Sequence, residues 1–492
     1  MNDINIPRSI CIKEILKENY SLSPSNYKKI SIRRDNVCEL REYLKQQNPY
    51  TKGIEPGTFA YVEQSNINFI RNSCITKDNI KWREDKAIFL NPNYDFENQL
   101  GSADILLCKD ANIGDSCYFV SENPDCKYVF SSGMVKLNFK KEAEKYFVLA
   151  FLRDNYFRLQ LESLTPKGAT IRHANDKFMK CMIPVLKQNE EWIIAAMEGL
   201  IKNIAHCEKI CANKLNEACR LIDEELFDIN CGYEKPSLSR LLAEERLDAG
   251  LYSENTYKTL KCVENYIYGS ATLEDYGYRI KRGPNLQKRD LGRSIQTNIY
   301  TKDYFTLIYP SDIAVGGYIT KSVYLGASGP VWELGIGDIL FSAEGSVGKT
   351  FAICSAELKF TTNIHGMIIY PISKKIDLSR SILICLYLHY LKNKGVIDQI
   401  TVGGQGGSLA VGYWDKIKIP YFPDSLIKKL TQLYNQKTDI YAFSFNEKNL
   451  KNNGIYQLNT IRLLCQSLLN IIVRDIKSDS LKTLDYYEQQ TL

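Results

Sequence analysis

Six cations, Arg279, Lys281, Arg282, Lys288, Arg289 and Arg293, stand within 15 residues against the single acid Asp290, and Gly283-Pro284 turns the chain between them. Phosphate contact needs cations on an exposed segment that follows a nucleic-acid backbone. Base reading in the major groove favours Arg, Asn and Gln, and Asn285, Gln287 and Gln296 lie in or beside the same stretch. The segment is a candidate DNA-contacting surface; the plain alternative is a solvated loop, because charge runs often do no more than solvate a face. A weaker basic group, Lys28, Lys29, Arg33 and Arg34, lies near the start of the chain.

Other groupings invite chemistry and mostly fail its requirements. Gly345-Ser-Val-Gly-Lys349-Thr350 has the end of a phosphate-cradling loop, but Ala343 stands where the spacing needs Gly, so the segment reads as a strand turn whose Lys349 faces DNA. Asn91-Pro92-Asn93-Tyr94 resembles the Asn-Pro-Pro-Tyr of adenine methyltransferases, with its third residue changed and no Gly-rich cofactor loop before it; a turn is the better reading. His206, Cys207, Cys211 and Cys219 have metal-ligand chemistry, yet Cys207 and Cys211 fall on an apolar helix face, where cysteine acts as a small hydrophobe. No metal site is predicted. His173, in Thr170-Ile-Arg-His-Ala-Asn175, has no nucleophile or carboxylate partner that the sequence can place; it is either a structural residue or part of a DNA-touching loop with Arg172 and Lys177.

These residues sit on a chain of 492 residues, long enough for two to four domains, with 44% hydrophobic and 24% charged residues and a net charge of +6. That composition excludes disordered and fibrous classes; the mild positive excess permits an anionic partner without requiring one. The 15 cysteines are scattered without framework spacing, behind a start that is no signal peptide, which predicts a reducing, cytoplasmic location. The most apolar stretch, 382–388, is too short for a membrane span, so no membrane partner is expected.

The positioning elements come in two copies. Gly101 to Gly114 aligns without a gap on Gly335 to Gly348 at an offset of 234 residues, keeping Gly, Asp, Ile, Leu and the final Gly. Upstream, Leu22 and Tyr27 match Leu247 and Tyr252; downstream, Phe178 and Ile183-Pro184 match Trp414 and Ile419-Pro420. Each copy predicts short strands plus one helix, at 140–162 and 378–394. After each Ile-Pro the pattern turns helical. Across 186–228 the residues Ile193, Met197, Leu200, Ile204, Cys207, Cys211, Leu215, Ala218 and Ile222 recur at three and four, a coiled-coil seam. Leu426, Leu430 and Leu433, then Leu458, Ile461, Cys465, Leu468 and Ile472, repeat the pattern, with an Asn- and Lys-rich break at 443–454.

With the Leu-x-x-x-x-Tyr entry, the Asp-Ile-Leu strand closed by Gly (Asp104, Gly114; Asp338, Gly348) and Ile-Pro before a helix, all twice in order, the chain resembles the DNA-specificity subunits of type I restriction-modification systems. The second copy adds Gly-Asp-Ile-Leu-x-x-x-x-Gly-x-x-Gly and the segment Gly406-Gly407-Ser408; the first has Thr165 to Thr170 where the second has Val402 to Ser408. The resemblance implies an α/β (α+β) chain with two target-recognition domains, at 1–185 and 236–421. Helical spacers at 186–235 and 422–475 form an antiparallel coiled coil, followed by a tail at 476–492. It also implies that each domain reads half of a split site in double-stranded DNA, that helix length sets the gap, and that the helices dock two methyltransferase subunits, with restriction (translocase/nuclease) subunits as further partners. No catalysis and no cofactor belong to this chain; S-adenosylmethionine, Mg and ATP are expected on partner subunits only. The expected DNA-binding residues are Lys109, Arg172 and Lys177 in the first copy and Arg279, Lys281, Arg282, Lys288, Arg289, Arg293, Lys349, Gln405, Ser408 and Tyr413 in the second. The competing classes are a self-contained restriction enzyme or methyltransferase, for which no nuclease motif and no cofactor loop is found, and a duplicated protein-binding scaffold.

Overall fold

The structure, a computed structural model, describes every residue except 1–2, 6, 8, 18–26, 94–98, 166–171, 228–231, 245–246, 248, 322, 402–408, 410 and 491–492. Leu22, Tyr94, Gln405, Gly406, Gly407 and Ser408 therefore lie outside the described residues. The chain forms two compact units, one of Met1–His206, Tyr441–Asn446 and Leu464–Leu492, the other of Cys207–Ile440 and Glu447–Leu463. Both are mixed helix and sheet. The division falls inside the long helix, Trp192–Phe227, and inside the helix Ile455–Lys477, rather than at their ends.

Two four-stranded sheets organise the first unit among its described residues. One is antiparallel, in the order Tyr50–Lys52, Met134–Leu137, Ile105–Cys108, Ser116–Tyr118. The other runs Lys127–Phe130, Ile67–Ile70, Ile88–Leu90, Tyr61–Val62, its first two strands parallel. Ile105 to Cys108 is buried at every position because core lies on both of its faces, which is why it reads as an unbroken apolar run. Trp82, stacked on Phe119 and edge-on to Tyr128, fills that core and donates its indole N–H to Val120 O over 2.8 Å.

The second unit repeats the plan strand for strand. Its antiparallel sheet runs Tyr278–Arg282, Gly366–Pro371, Ile339–Ser342, Thr350–Ala352. Its mixed sheet runs Ser294–Thr297, Tyr324–Ala327, Phe305–Ile308, Phe360–Thr362, with the last pair parallel. The Ile-Pro motif has the same task in both: Ile183 pairs with Cys38 and Ile419 with Ala271, tying the end of each copy to its beginning.

Three expectations change. The helix expected at 140–162 is two, Lys145–Leu152 and Asn155–Leu164, because Asp154 leaves helical geometry and caps the second by accepting from Tyr156 N. Its counterpart, Leu378–Asn393, runs through, capped by Asp377. The long helix starts at Trp192 rather than 186, since a short turn at Gln188–Glu190 precedes it and Glu190 is drawn to Arg34. The break at 443–454 packs on the long helix instead of hanging from it: Asn203 Nδ2 donates to Ala442 O at 2.9 Å and Ser444 O at 3.0 Å, and the backbone of Phe443 lies so close to Gly199 that a Cβ there would clash. The seam residues from Ile193 to Ile222 are buried as the spacing requires.

Candidate nucleic-acid interface

The repeated Gly-x-x-Asp builds one turn twice. Gly101 N donates to Asp104 Oδ2 and Gly335 N to Asp338 Oδ2, each over 2.9 Å, and the chain then enters the central strand of the antiparallel sheet. Beyond the strand a tight loop returns it: Gly114 N donates to Cys108 O and Gly348 N to Ser342 O, both at 2.9 Å. Those two glycines have φ of 85° and 94°, a left-handed conformation that costs other residues energy, so the duplication keeps Gly there. Each loop carries a carboxylate at its second position, Asp110 in one unit and Glu344 in the other.

Around each carboxylate the structure gathers a histidine and a cation. Asp110 Oδ1 lies 2.8 Å from His173 Nδ1 and its Oδ2 accepts from Lys109 Nζ over 2.9 Å. Glu344 Oε2 lies 2.7 Å from His365 Nδ1 and its Oε1 accepts from Arg282 Nη1 over 2.6 Å. These bonds, His365 first and Arg282 second, hold the Glu344 carboxyl below the usual range. Backbone pairing brings in the rest: Ala111 N donates to Arg172 O and Ala174 N to Lys109 O, so Lys109, Arg172 and His173 form one cluster. Leu409 N donates to Ala343 O in the same manner, beside the Glu344 loop. The sequence pattern missed Asp110, Glu344 and His365; the signal available was that the two acids occupy the same position of the aligned repeat.

The expected cations divide. Lys177 donates to Leu164 O over 2.6 Å and caps the helix Asn155–Leu164, so its charge is committed to a helix C-terminus. Arg34, from the weaker basic group, is buried with both Glu190 oxygens 2.6 Å from its Nη2, an ion pair of the fold rather than a surface. The six-cation run spans two sheets: it passes from Tyr278–Arg282, at the edge of the antiparallel sheet, to Ser294–Thr297, at the edge of the mixed one. Arg279, with Glu274 3.5 Å away, and Lys288, Arg289 and Arg293 are exposed. Lys281 lies over Trp332, 3.6 Å from the ring centroid, and near Tyr370; burial there lowers its ammonium below the usual lysine value. Half-exposed Trp332 also lines a cavity of about 520 Å³ with Pro284, Asn285 and Arg289. Gln296 Nε2 donates to the Tyr309 hydroxyl over 3.1 Å. Lys349 closes the Glu344 loop through its backbone, accepting from Ser342 N and donating to Ser342 Oγ. Tyr413 is half-buried in the turn Val411–Lys416, beside Trp414, which packs edge-on to Phe341.

The remaining motifs resolve simply. Thr350 opens a strand, not a helix, and the Gly345–Gly348 turn spends backbone donors on itself, Gly348 N on Ser342 O and Val347 N on Gly345 O; it lacks the helix N-terminus on which a phosphate loop depends. Asn91 Oδ1 accepts from Asn93 N over 3.0 Å, an Asx turn. Cys207 and Cys211 are buried on the seam, Cys219 meets Asn393, and His206 packs on Phe445. Among the described residues no three His, Cys, Asp or Glu are grouped to hold a metal ion, and no helix is long and apolar enough to cross a membrane.

No family model and no curated protein matches the chain. Among solved structures it is similar to the S subunit of a type I restriction-modification system from M. genitalium, with 14% identity over 91% of this chain and 96% of that one and a TM-score of 0.38. It is also similar to the HsdS subunit from Thermoanaerobacter tengcongensis, with 15% identity, 91% and 97% coverage and a TM-score of 0.27. A chain from work on complex assembly and conformational transition of the type I R-M system gives 14% identity, 90% and 97% coverage and a TM-score of 0.27.

Proposed function

We propose that the protein is a non-catalytic DNA-recognition subunit of a type I restriction-modification complex. Each unit reads one half of a split site in double-stranded DNA, and partner methyltransferase subunits, with or without restriction subunits, act where this chain directs them. The observation that carries this is the duplicated hairpin: two separate units each present, after the same strand and at the same aligned position, a polar cluster with a cation and a histidine bonded to one carboxylate. Two equivalent recognition surfaces on one chain suit a target with two halves. The ordered motifs of the repeat, read as a resemblance, support the same assignment.

In this account exposed cations such as Arg279, Lys288, Arg289 and Arg293 position the duplex through phosphates, which fixes register without choosing sequence. Lys109, Arg172, Arg282, Lys349 and Tyr413 are the candidates to read base edges, joined by Gln405 and Ser408 on the sequence reading alone. S-adenosylmethionine, Mg and ATP belong to the partners.

The test is a selection. The chain assembled with its methyltransferase partners is mixed with a random duplex pool, and bound DNA is sequenced. Two conserved blocks separated by a spacer of fixed length and free sequence are expected. A single contiguous block, no enrichment, or cleavage or methylation by the purified chain alone contradicts the proposal.

A further inference from the structure

Two of the four histidines of the chain are bonded through Nδ1 to a carboxylate, and the two carboxylates, Asp110 and Glu344, hold the same place in the duplication. The histidines do not. His173 precedes the Ile-Pro strand of its copy. His365 comes from the turn between Phe360–Thr362 and Gly366–Pro371, where the first copy has Ser131-Ser132-Gly133. Two unrelated stretches of sequence thus bring an imidazole to the carboxylate at the same position of the repeat.

Stability gives little reason for this. The imidazoles are 58% and 60% exposed, and ion pairs so exposed contribute little to a fold. Recognition gives a better one. A bare carboxylate on a DNA-facing loop would repel phosphate, but in both units one oxygen is neutralised by a cation, Lys109 or Arg282, and the other is occupied by the imidazole. A neutral imidazole that donates Nδ1–H to a carboxylate has its tautomer fixed, leaving the Nε2 lone pair as an acceptor. In the major groove an acceptor pairs with an exocyclic amino group, adenine N6 or cytosine N4.

We infer that His173 and His365 are base-reading residues, one for each half-site, that each accepts a hydrogen bond from an adenine or cytosine amino group, and that Asp110 and Glu344 are the positioning residues that fix their tautomers. This rests on the DNA-recognition role proposed above and adds to it the residues and the class of base atom.

The selection described above is repeated on the assembled complex with H173A, H365A, D110N and E344Q. H173A and D110N relax the same single position of one half-site, an adenine or cytosine, with preference for that base falling on the order of ten-fold. H365A and E344Q do the same at one position of the other half-site, and the rest of each motif is unchanged. A purely structural role would instead weaken both halves or lower the melting temperature. If the unmodified complex enriches a split motif and H173A and H365A leave it unaltered, or if either variant relaxes positions in both half-sites together, the inference is overturned while the DNA role stands. If the unmodified complex enriches nothing, both fall.

Discussion

Arg462 and Glu208 meet where neither side chain has any accessible surface, Arg462 Nε donating to Glu208 Oε1 over 2.9 Å. The same guanidinium donates from Nη1 to Ile319 O at 2.6 Å and from Nη2 to Thr320 O at 2.9 Å, and Asn459 Oδ1 accepts from Ile319 N at 2.8 Å. In the second unit, then, the helix Ile455–Lys477 is bonded both to the long helix and to the loop after Pro310–Asp312. With Cys211 bonded to Ile455 O, the two helices run antiparallel there.

Removing one partner of such a pair leaves the other charge buried. Arg462→Met is expected to cost about 3–5 kcal/mol in urea unfolding of the full chain. Adding Glu208→Leu should return much of that loss, since a buried pair replaced by apolar groups is often close to neutral. A single variant that loses less than about 1 kcal/mol would mean that water reaches the pair.

His389 is buried on the helix Leu378–Asn393, and burial, with Lys392 nearby, pushes its pKa down to about 4. Its folded value lies below its unfolded one, so between about pH 6.5 and pH 4 the unfolded chain binds the extra proton and stability falls as pH falls. Across that window the natural chain should lose up to about 3 kcal/mol more than His389→Leu, and above pH 7 the difference between them should be independent of pH. Parallel pH dependence of the two chains would contradict the assignment.

Arg289 and Lys177 separate phosphate contact from helix capping. Arg289→Ala should lower the slope of log affinity against log salt by about 0.9 for duplex DNA. Lys177→Ala should leave that slope unchanged and cost about 0.3–1 kcal/mol of stability, because Leu164 O loses its cap. Equal effects on the slope would place both residues on the DNA.

The duplication was legible because it is carried by residues with backbone tasks. Gly101, Asp104 and Gly114 make a turn and a loop closure that other residues make poorly, so the second copy keeps them as Gly335, Asp338 and Gly348. The long seam was legible for the same kind of reason, a spacing imposed by the helix. The carboxylate clusters were not. Asp110 meets a histidine 63 residues away and Glu344 one 21 residues away, and only the strand pairing that folds Arg172 and Gly366 back onto the hairpin makes them neighbours. The six-cation run is continuous in sequence, but it spans the edge strands of two sheets, and Lys281 within it lies over the Trp332 ring, a placement its sequence neighbours do not announce. Arg34 misled because an arginine that closes a buried ion pair looks, in sequence, like one that faces water.

The most direct measurement is methylation sequencing of DNA from a host that expresses this chain with and without its methyltransferase partners. New adenine methylation at a split motif, present only when chain and partners are expressed together, is the predicted result, and it identifies both half-sites. Methylation that does not depend on this chain, or no new methylation with a competent methyltransferase present, would contradict the recognition role.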